Sequence, residues 1–318
     1  MKHVFLVNPF AGHSDISGKV KKTLEDYGSK IDYEIFITQS KEESKEKVRQ
    51  YLIEHPCEPI RLYGIGGDGT FFNLVNAGGL SERIEYASVA TGSGNDFVKG
   101  FTKHESFSDL TNLINGHVAK IDVLDVNGYY TMNMGNFGFD GKVVYNMMKI
   151  KRWPLMTGKG AYLLSAAWTI LGKLNQRMRI VIDGKEVRDG LCLLTAVSNG
   201  STCGGGFIAA PHAVMDDGKI DVCCVKKVKK TQLATLMKVY RAGKHLKNEK
   251  TKKLLSYYQC TSLEIHSDKD IVTSLDGEIF LNKDYAIRIV PKALNIVLPE
   301  GSEVIQDGDL SSLVEELA

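Results

Sequence analysis

A chain of 318 residues is long enough for two domains. Its 43% hydrophobic and 25% charged residues exclude a disordered or fibrous chain, and a net charge of +2 argues against a nucleic-acid binder. Six cysteines without a C-x-x-C and eight histidines without H-E-x-x-H spacing argue against a disulfide scaffold and a zinc site; the cysteines read as reduced, mostly buried thiols. Met1-Lys2-His3 runs straight into an apolar strand, so no targeting segment is expected. The longest apolar stretch, residues 162–171, is too short to span a bilayer.

Residues 4–7 predict a buried strand, followed by a turn from Asn8 to Ser14, with Ser14 a candidate N-cap. The helix after it is expected to end before Gly28. Residues 33–38 read as a second strand. Residues 42–53 read as a charged helix turning Val48, Leu52 and Ile53 inward. Strands at 60–65 and 84–90 complete an alternation that predicts a parallel sheet with helices on both faces. Ligands of such sheets bind at the carboxyl ends of the strands, where Asn8-Pro9, Thr38 and two glycine-rich turns are expected to converge.

The first of those turns is Gly64-Ile65-Gly66-Gly67-Asp68-Gly69-Thr70, between an apolar strand and the helical pattern opened by Phe71 and Phe72. Glycines admit close approach, main-chain N–H groups point outward, and a helix N-terminus favours negative charge, so this is an anion cradle. Asp68 sits inside it, in a turn expected to face solvent. A carboxylate beside phosphates requires an intervening cation, so Asp68 reads as a Mg²⁺-facing group. The G-x-G-x-x-G of a dinucleotide fold is also satisfied, but that fold wants no acid within the turn, and no G-x-x-x-x-G-K-[ST] is present. The second turn is Thr91-Gly92-Ser93-Gly94-Asn95-Asp96, where Asn95 or Asp96 either caps the next helical segment or contacts a ligand.

From about residue 120 the pattern changes. Asn127-Gly128 and Asp183-Gly184 mark hairpins, and further strands are expected at 191–197, 220–225, 262–265, 271–274 and 286–290. Helices are expected at 143–150, 160–172 and 231–243. This is a β-rich antiparallel second domain. Thr273-Ser274-Leu275-Asp276-Gly277-Glu278 brings two acids to a glycine turn, either a plain hairpin or a catalytic site. Two basic stretches, 149–153 with Trp153 and 226–230, suit an anionic membrane surface or a solvated charged face.

GGDGT at 66–70 followed by T-G-S-G-N-D at 91–96 resembles the catalytic domain of the diacylglycerol, sphingosine and ceramide kinases, and most closely the soluble bacterial lipid kinases. The resemblance covers nearly the whole chain, with Ser93 in place of the commoner threonine and Phe10 in the Asn-Pro loop as small departures. It implies an N-terminal α/β domain with a Rossmann-like parallel sheet of the NAD-kinase/diacylglycerol-kinase type, residues 1–122, to which 294–318 return, and a β-rich antiparallel lipid-substrate domain, 123–293. It implies ATP and Mg²⁺, with Asn8, Pro9, Thr38, Gly66, Gly67, Asp68, Gly69, Thr70, Ser93 and Asn95 around the nucleotide. Asp68 and the D-G-E motif would be catalytic; Asp276 fits the base, and Glu278 shares its proton, holds it or touches the nucleotide. Asp96 and Asp140 would lie near the lipid head group, Asp140 with an Asx turn as its other reading. Asp217 with the carbonyls of Val214 and Lys219 would hold a structural cation, or form an Asp-Asp-Gly turn without one.

The expected function is therefore phosphorylation of a lipid alcohol, diacylglycerol or a relative, at the inner face of the membrane by a cytoplasmic, peripherally bound enzyme drawn to anionic lipids. A homodimer is compatible with this reading. The rivals are a soluble NAD-kinase-like phosphotransferase and a non-enzymatic nucleotide sensor. An NAD kinase should carry Asn-Glu after the second turn, where this chain has Asn95-Asp96.

Overall fold

The computed structural model describes residues 1–8, 16–92, 94–150 and 158–307. Pro9, Ser14, Ser93, Trp153 and the acidic tail at 310–317 lie outside them. The chain divides into two compact units.

Unit 1 comprises Met1–Val123, Met215–Gly218 and Val290–Ile305. Strands and helices alternate through β1 (Lys2–Val7), α1 (Ile16–Tyr27), β2 (Asp32–Ile37), α2 (Lys41–Glu54), β3 (Ile60–Gly66), α3 (Asp68–Gly78), β4 (Ile84–Ala90) and α4 (Leu110–Ile114), before β5 (His117–Val126) leads into unit 2. The sheet is parallel, ordered β2-β1-β3-β4, and is completed at β4 by the end of the chain's last strand, where Ile296 pairs with Tyr86. β3 is buried along its whole length, as a strand covered on both faces must be. Phe71, Phe72, Leu74 and Val75 of α3 are buried, each contributing about 1.5–3 kcal/mol by leaving water.

Local chemistry explains the helix ends. Ser40 caps α2, its hydroxyl accepting from the Glu43 N–H at 3.1 Å while the Glu43 carboxylate accepts from the Gln39 N–H at 2.8 Å. α1 stops at Gly28, which takes a φ of +54°. The inward face of α2 differs from the expected one: Val48 and Tyr51 are buried, and Ile53 is 71% exposed.

Among the described residues unit 2 comprises Leu124–Val214, Lys219–Ile289 and residues 306–307. Its elements are β6 (Tyr129–Thr131), β7 (Met134–Gly138), α5 (Phe139–Ile150), α6 (Gly158–Leu171), β8 (Gln176–Ile182), β9 (Lys185–Ser198), β10 (Thr202–Cys203), β11 (Phe207–Ile208), β12 (Ile220–Lys226), α7 (Lys230–Arg241), β13 (Leu255–Cys260), β14 (Ser262–Leu275) and β15 (Glu278–Leu298), whose last residues enter unit 1. Antiparallel pairing runs β13-β12-β9-β7-β14-β15, with β8 between β9 and β14 at their other ends. Strands expected as short pieces are continuous here: β14 joins two of them across a register shift between His266 and Ile271, and β15 runs for 21 residues. One face of the sheet packs Met134, Leu194 and Val225 against Phe139, Leu233 and Leu236 of the helices.

Three hairpins of unit 2 share one turn. Asn127-Gly128, Asp183-Gly184 and Asp276-Gly277 all have positive φ at both residues, the two-residue turn that matches strand twist. In each, the side chain of the first residue reaches main-chain N–H groups of a neighbouring segment. Asn127 accepts from the Ala286 N–H at 2.8 Å, and Asp183 accepts from the Thr261 and Ser262 N–H groups at 3.1 and 2.8 Å.

Candidate active site

In unit 1 the two glycine turns lock together at the ends of β3 and β4. The Gly66 carbonyl accepts from the N–H groups of Thr91 and Gly92 at 3.0 and 3.2 Å. Contact is so close that a Cβ on Gly92 would lie 2.5 Å from the Gly67 Cα, so only glycine fits. Gly67 caps α3, and Asp68, Gly69 and Thr70 form its first turn. The leading N–H groups of a helix have no partners within it, and its dipole adds positive potential there.

Asp68 is not in an open, solvent-facing turn as expected. It is half-buried, and its carboxylate accepts from the main-chain N–H groups of Asp96 and Phe97 at 2.9 and 3.2 Å. It thereby caps the short helical segment that follows the second turn, where the Asp96 side chain makes no cap bond. Asp96 is buried and paired with Lys99 at 2.7 Å. Thr38 is also drawn inward: it is 2% exposed and its hydroxyl lies 2.6 Å from that of Ser44. Asn8 reaches the Thr70 hydroxyl at 3.4 Å, which places it beside the first turn. The buried Thr91 Oγ1 and Asn95 Oδ1 have no hydrogen-bond partner among the described residues. Buried polar atoms are nearly always paired, so each of these two oxygens leaves an acceptor position open to a water or a ligand group. Thr91 was not singled out by the sequence reading, although it opens the very motif that was.

Asp122 is a second omission. It is fully buried, and its carboxylate accepts from the Gly218 and Lys292 N–H groups at 2.6 and 2.7 Å while its own N–H donates to the Met215 carbonyl at 2.7 Å. Burial, opposed by those bonds and reinforced by the charges of Asp217 and Asp216, pushes its carboxyl above the usual range. An acid inside the apolar run Ile121-Asp122-Val123-Leu124 was the available signal. Of the expected cation ligands, Asp217 and Lys219 are exposed and Val214 is buried. Among the described residues no group of three or more His, Cys, Asp or Glu is arranged to hold a metal ion.

In unit 2, Asp276 is buried, and its two oxygens accept from the N–H groups of Met132, Asn133 and Met134 at 2.7, 3.1 and 2.8 Å. Burial pushes its carboxyl up to about 6 against the opposing pull of these donors. The geometry repeats that of Asn127 and Asp183 at ordinary surface turns. Glu278, across the turn, is half-buried at the start of β15. Around the clasped segment the buried Thr131 Oγ1, Asn133 Oδ1, Asn136 Oδ1 and Ser198 Oγ have no partner among the described residues. Asp140 opens α5, not an isolated turn. It retains some exposure, yet burial alone pushes its carboxyl up to about 6, the position of an acid in a recess.

Residues 2–126 match the diacylglycerol kinase catalytic domain, and residues 135–298 match the YegS C-terminal NAD kinase beta sandwich-like domain. The chain belongs to the lipid kinase family built from these two domains. Among curated relatives, the "Probable lipid kinase YegS-like" of Shewanella frigidimarina is 28% identical over 74% of this chain and 75% of its own length. The diacylglycerol kinase of Bacillus subtilis is 26% identical over 68% and 70%. A crystal structure of a diacylglycerol kinase from Bacillus anthracis shares the fold with a TM-score of 0.68, at 21% identity over 96% of this chain and 98% of that one. The yeast NADH kinase shares it more distantly, with a TM-score of 0.52 at 12% identity over all of this chain and 87% of that one. The expected architecture, an α/β domain followed by a β-rich antiparallel domain, is the one observed.

Proposed function

We propose that this lipid kinase transfers the γ-phosphate of ATP, with Mg²⁺, to the hydroxyl of a membrane lipid alcohol, diacylglycerol or a close relative. The observation that carries the reading is the paired glycine cradle at the α3 N-terminus, with the unpartnered Thr91 and Asn95 oxygens beside it. Gly66, Gly67, Gly69 and Thr70 would cradle the phosphates, and Asn8, Thr91 and Asn95 would hold the nucleotide. Asp68, an acid in the first turn of α3 inside that cradle, fits a role beside Mg²⁺, which when bound would neutralise charge on the phosphates. Asp217, with the Val214 and Lys219 carbonyls, remains the proposed seat of a second, structural cation.

In this reading Glu278 is the base. The Asp276 oxygens are engaged by three main-chain N–H groups, where Asn127 and Asp183 in turns of the same kind accept from one and two, so Asp276 holds the 132–134 segment and the turn that presents Glu278. Glu278 takes the lipid hydroxyl proton as the new O–P bond forms and the bond from the γ-phosphorus to ADP breaks. Asp140, with Asn136 and Ser198, would meet the lipid head group. The enzyme would work from the cytoplasm at the inner face of the membrane.

The test is transfer of radiolabelled γ-phosphate into a total lipid extract, with NAD offered in parallel. Label should enter an organic-soluble phospholipid and require added Mg²⁺. Label confined to the aqueous phase with every lipid, or appearing in NAD, overturns the reading.

A further inference from the structure

Five of the six cysteines are buried, and two of these touch. Cys192 of β9 and Cys224 of β12, 0% and 1% exposed, hold their sulfurs 3.7 Å apart. Cys224 pairs with Thr195, and Lys226 with Cys192, so the two thiols are diagonal neighbours on one face of the sheet. A bulge brings them together: Val225 pairs with Leu194 and Lys226 with Cys192, which leaves Leu193 as the extra residue. Cys223, next in sequence, faces the other way and lies with Tyr240 in the helix-covered core.

The surroundings of the pair are those of a reactive thiol. Arg188 Nε donates to Cys192 Sγ at 2.9 Å, and Arg188 Nη2 donates to the Leu191 carbonyl at 2.7 Å, which fixes the guanidinium in place. Protonated, Cys192 has the Gly190 carbonyl as an acceptor at 3.7 Å; ionised, it accepts from Arg188 and from the Cys224 S–H. The Cys224 thiol beside it, opposed by burial and helped by Arg188, draws the Cys192 thiol below its ordinary range, while the same pairing, with burial, pushes Cys224 above its own. At Cys223 and Cys260 burial dominates and pushes both thiols up to about 12. A cavity of about 280 Å³ opens beside the pair, with Cys224, Arg188 and Lys226 in its wall and no acid among its lining residues. Arg188, which touches Cys192, is itself half-buried, so Cys192 lies one side chain below solvent.

We propose that Cys192 and Cys224 are a site of reversible oxidation, at which a hydroperoxide joins β9 to β12 through an intrachain disulfide. With hydrogen peroxide, the Cys192 thiolate attacks one peroxide oxygen, the O–O bond breaks, and hydroxide leaves to take a proton as water, giving a sulfenic acid. The Cys224 sulfur then attacks the Cys192 sulfur, the S–O bond breaks, and hydroxide leaves with the Cys224 proton as the second water. The two thiols lose two electrons, and one hydrogen peroxide is reduced to two waters. Arg188 and Lys226 favour both the thiolate and the departing hydroxide. A metal fits less well: two thiols are half of a tetrahedral zinc set, and among the described residues no group of three or more His, Cys, Asp or Glu is arranged to hold an ion. Plain packing, the ordinary role of a buried cysteine, accounts for Cys223 and Cys260 but not for a guanidinium aimed at the Cys192 sulfur. The site is independent of the lipid-kinase reading, and either can fail alone.

Peptide mapping tests this on the full-length Cys57→Ser protein, which lacks the exposed thiol and keeps the five buried ones. After hydrogen peroxide at pH 7 and alkylation in urea, only Cys203, Cys223 and Cys260 should carry the alkyl label, and fragment ions should place a disulfide between Cys192 and Cys224. Dithiothreitol should restore both thiols. Added to this background, Cys224→Ser should stop at a Cys192 sulfenic acid that dimedone captures, Cys192→Ser should leave Cys224 unoxidised at the same dose, and Cys223→Ser should form the bridge as before. Arg188→Gln should slow the reaction about threefold at pH 7, where it lowers the thiolate fraction, and match its parent at pH 9. Fragment mapping of the parent protein reads the bridge directly, whether or not the core variants fold. A bridge from either residue to a third cysteine overturns the proposal, as does Cys192 running on to the sulfinic acid with Cys224 present. Full retention of both thiols at a peroxide dose that consumes Cys57 in the wild-type protein overturns it as well.

Discussion

Replacing Asp276 by Asn sets an amide NH₂ among the three main-chain N–H groups that now share two carboxylate oxygens. At least one buried donor loses its acceptor, so the variant should lose about 1–3 kcal/mol of stability. Turnover should fall only as far as the turn is displaced. Glu278→Gln should act on turnover instead, lowering kcat by roughly 10²–10⁴-fold. Urea unfolding and kcat measured on both variants separate the roles; a stable, inactive Asp276→Asn would return the base to Asp276. Asp140 gives a pH-dependent signature. Its folded carboxyl titrates near 6, above the ordinary 3.8, so the folded state holds this proton more tightly. Its contribution is intact below the ordinary value and declines as pH rises towards about 6, at up to about 1.4 kcal/mol per pH unit. Asp140→Asn should therefore match wild type near pH 4 and gain on it by pH 7. A stability difference that does not vary with pH would refute this.

At the scale of elements, the junction of the two glycine turns should be intolerant of a single methyl group. Gly92→Ala places a Cβ 2.5 Å from the Gly67 Cα and 2.9 Å from its nitrogen, main-chain atoms that can move only by separating the turns. It should cost about 1–3 kcal/mol and abolish nucleotide binding measured by calorimetry. Gly94→Ala, with nothing within 4 Å of the added carbon, is the control and should bind normally. Those turns were legible in the sequence because strand, glycine run and helix follow one another locally, and so was the βα alternation of unit 1. The long strands of unit 2 were not. β15 carries Leu281, Asn282, Lys283 and Asp284 on an exposed stretch, where polar residues break the alternation that marks a strand and the partners across β14 supply the order instead. Asp276 shows the same limit at the site: Asp-Gly announces the turn, but Met132 to Met134, over 140 positions away, decide what its carboxylate does. The inward face of α2 was legible at Val48 and in part at Leu52, which is half-buried, and was misjudged at Ile53, whose expected place Tyr51, apolar in its ring, takes.

At the scale of the whole chain, unit 1 is built from three separate segments, and the last of them supplies the strand beside β4. A ribosome reaches that strand late. Between emergence of Ala90 and of Leu298 lie roughly 10–40 s of synthesis at about 5–20 residues per second, during which β4 is an unpaired parallel edge. Bare edges invite pairing with other chains. Residues 1–123 expressed alone should therefore sediment as aggregate, and adding a synthetic peptide of residues 290–305 during refolding should raise the soluble yield. A soluble, monomeric fragment that ignores the peptide would show that the edge is protected some other way. If the fragment does aggregate, the nascent kinase is a natural client for holdase chaperones until its final strand arrives, and premature stop codons downstream of residue 123 would yield sticky, proteolysed fragments instead of a partial enzyme.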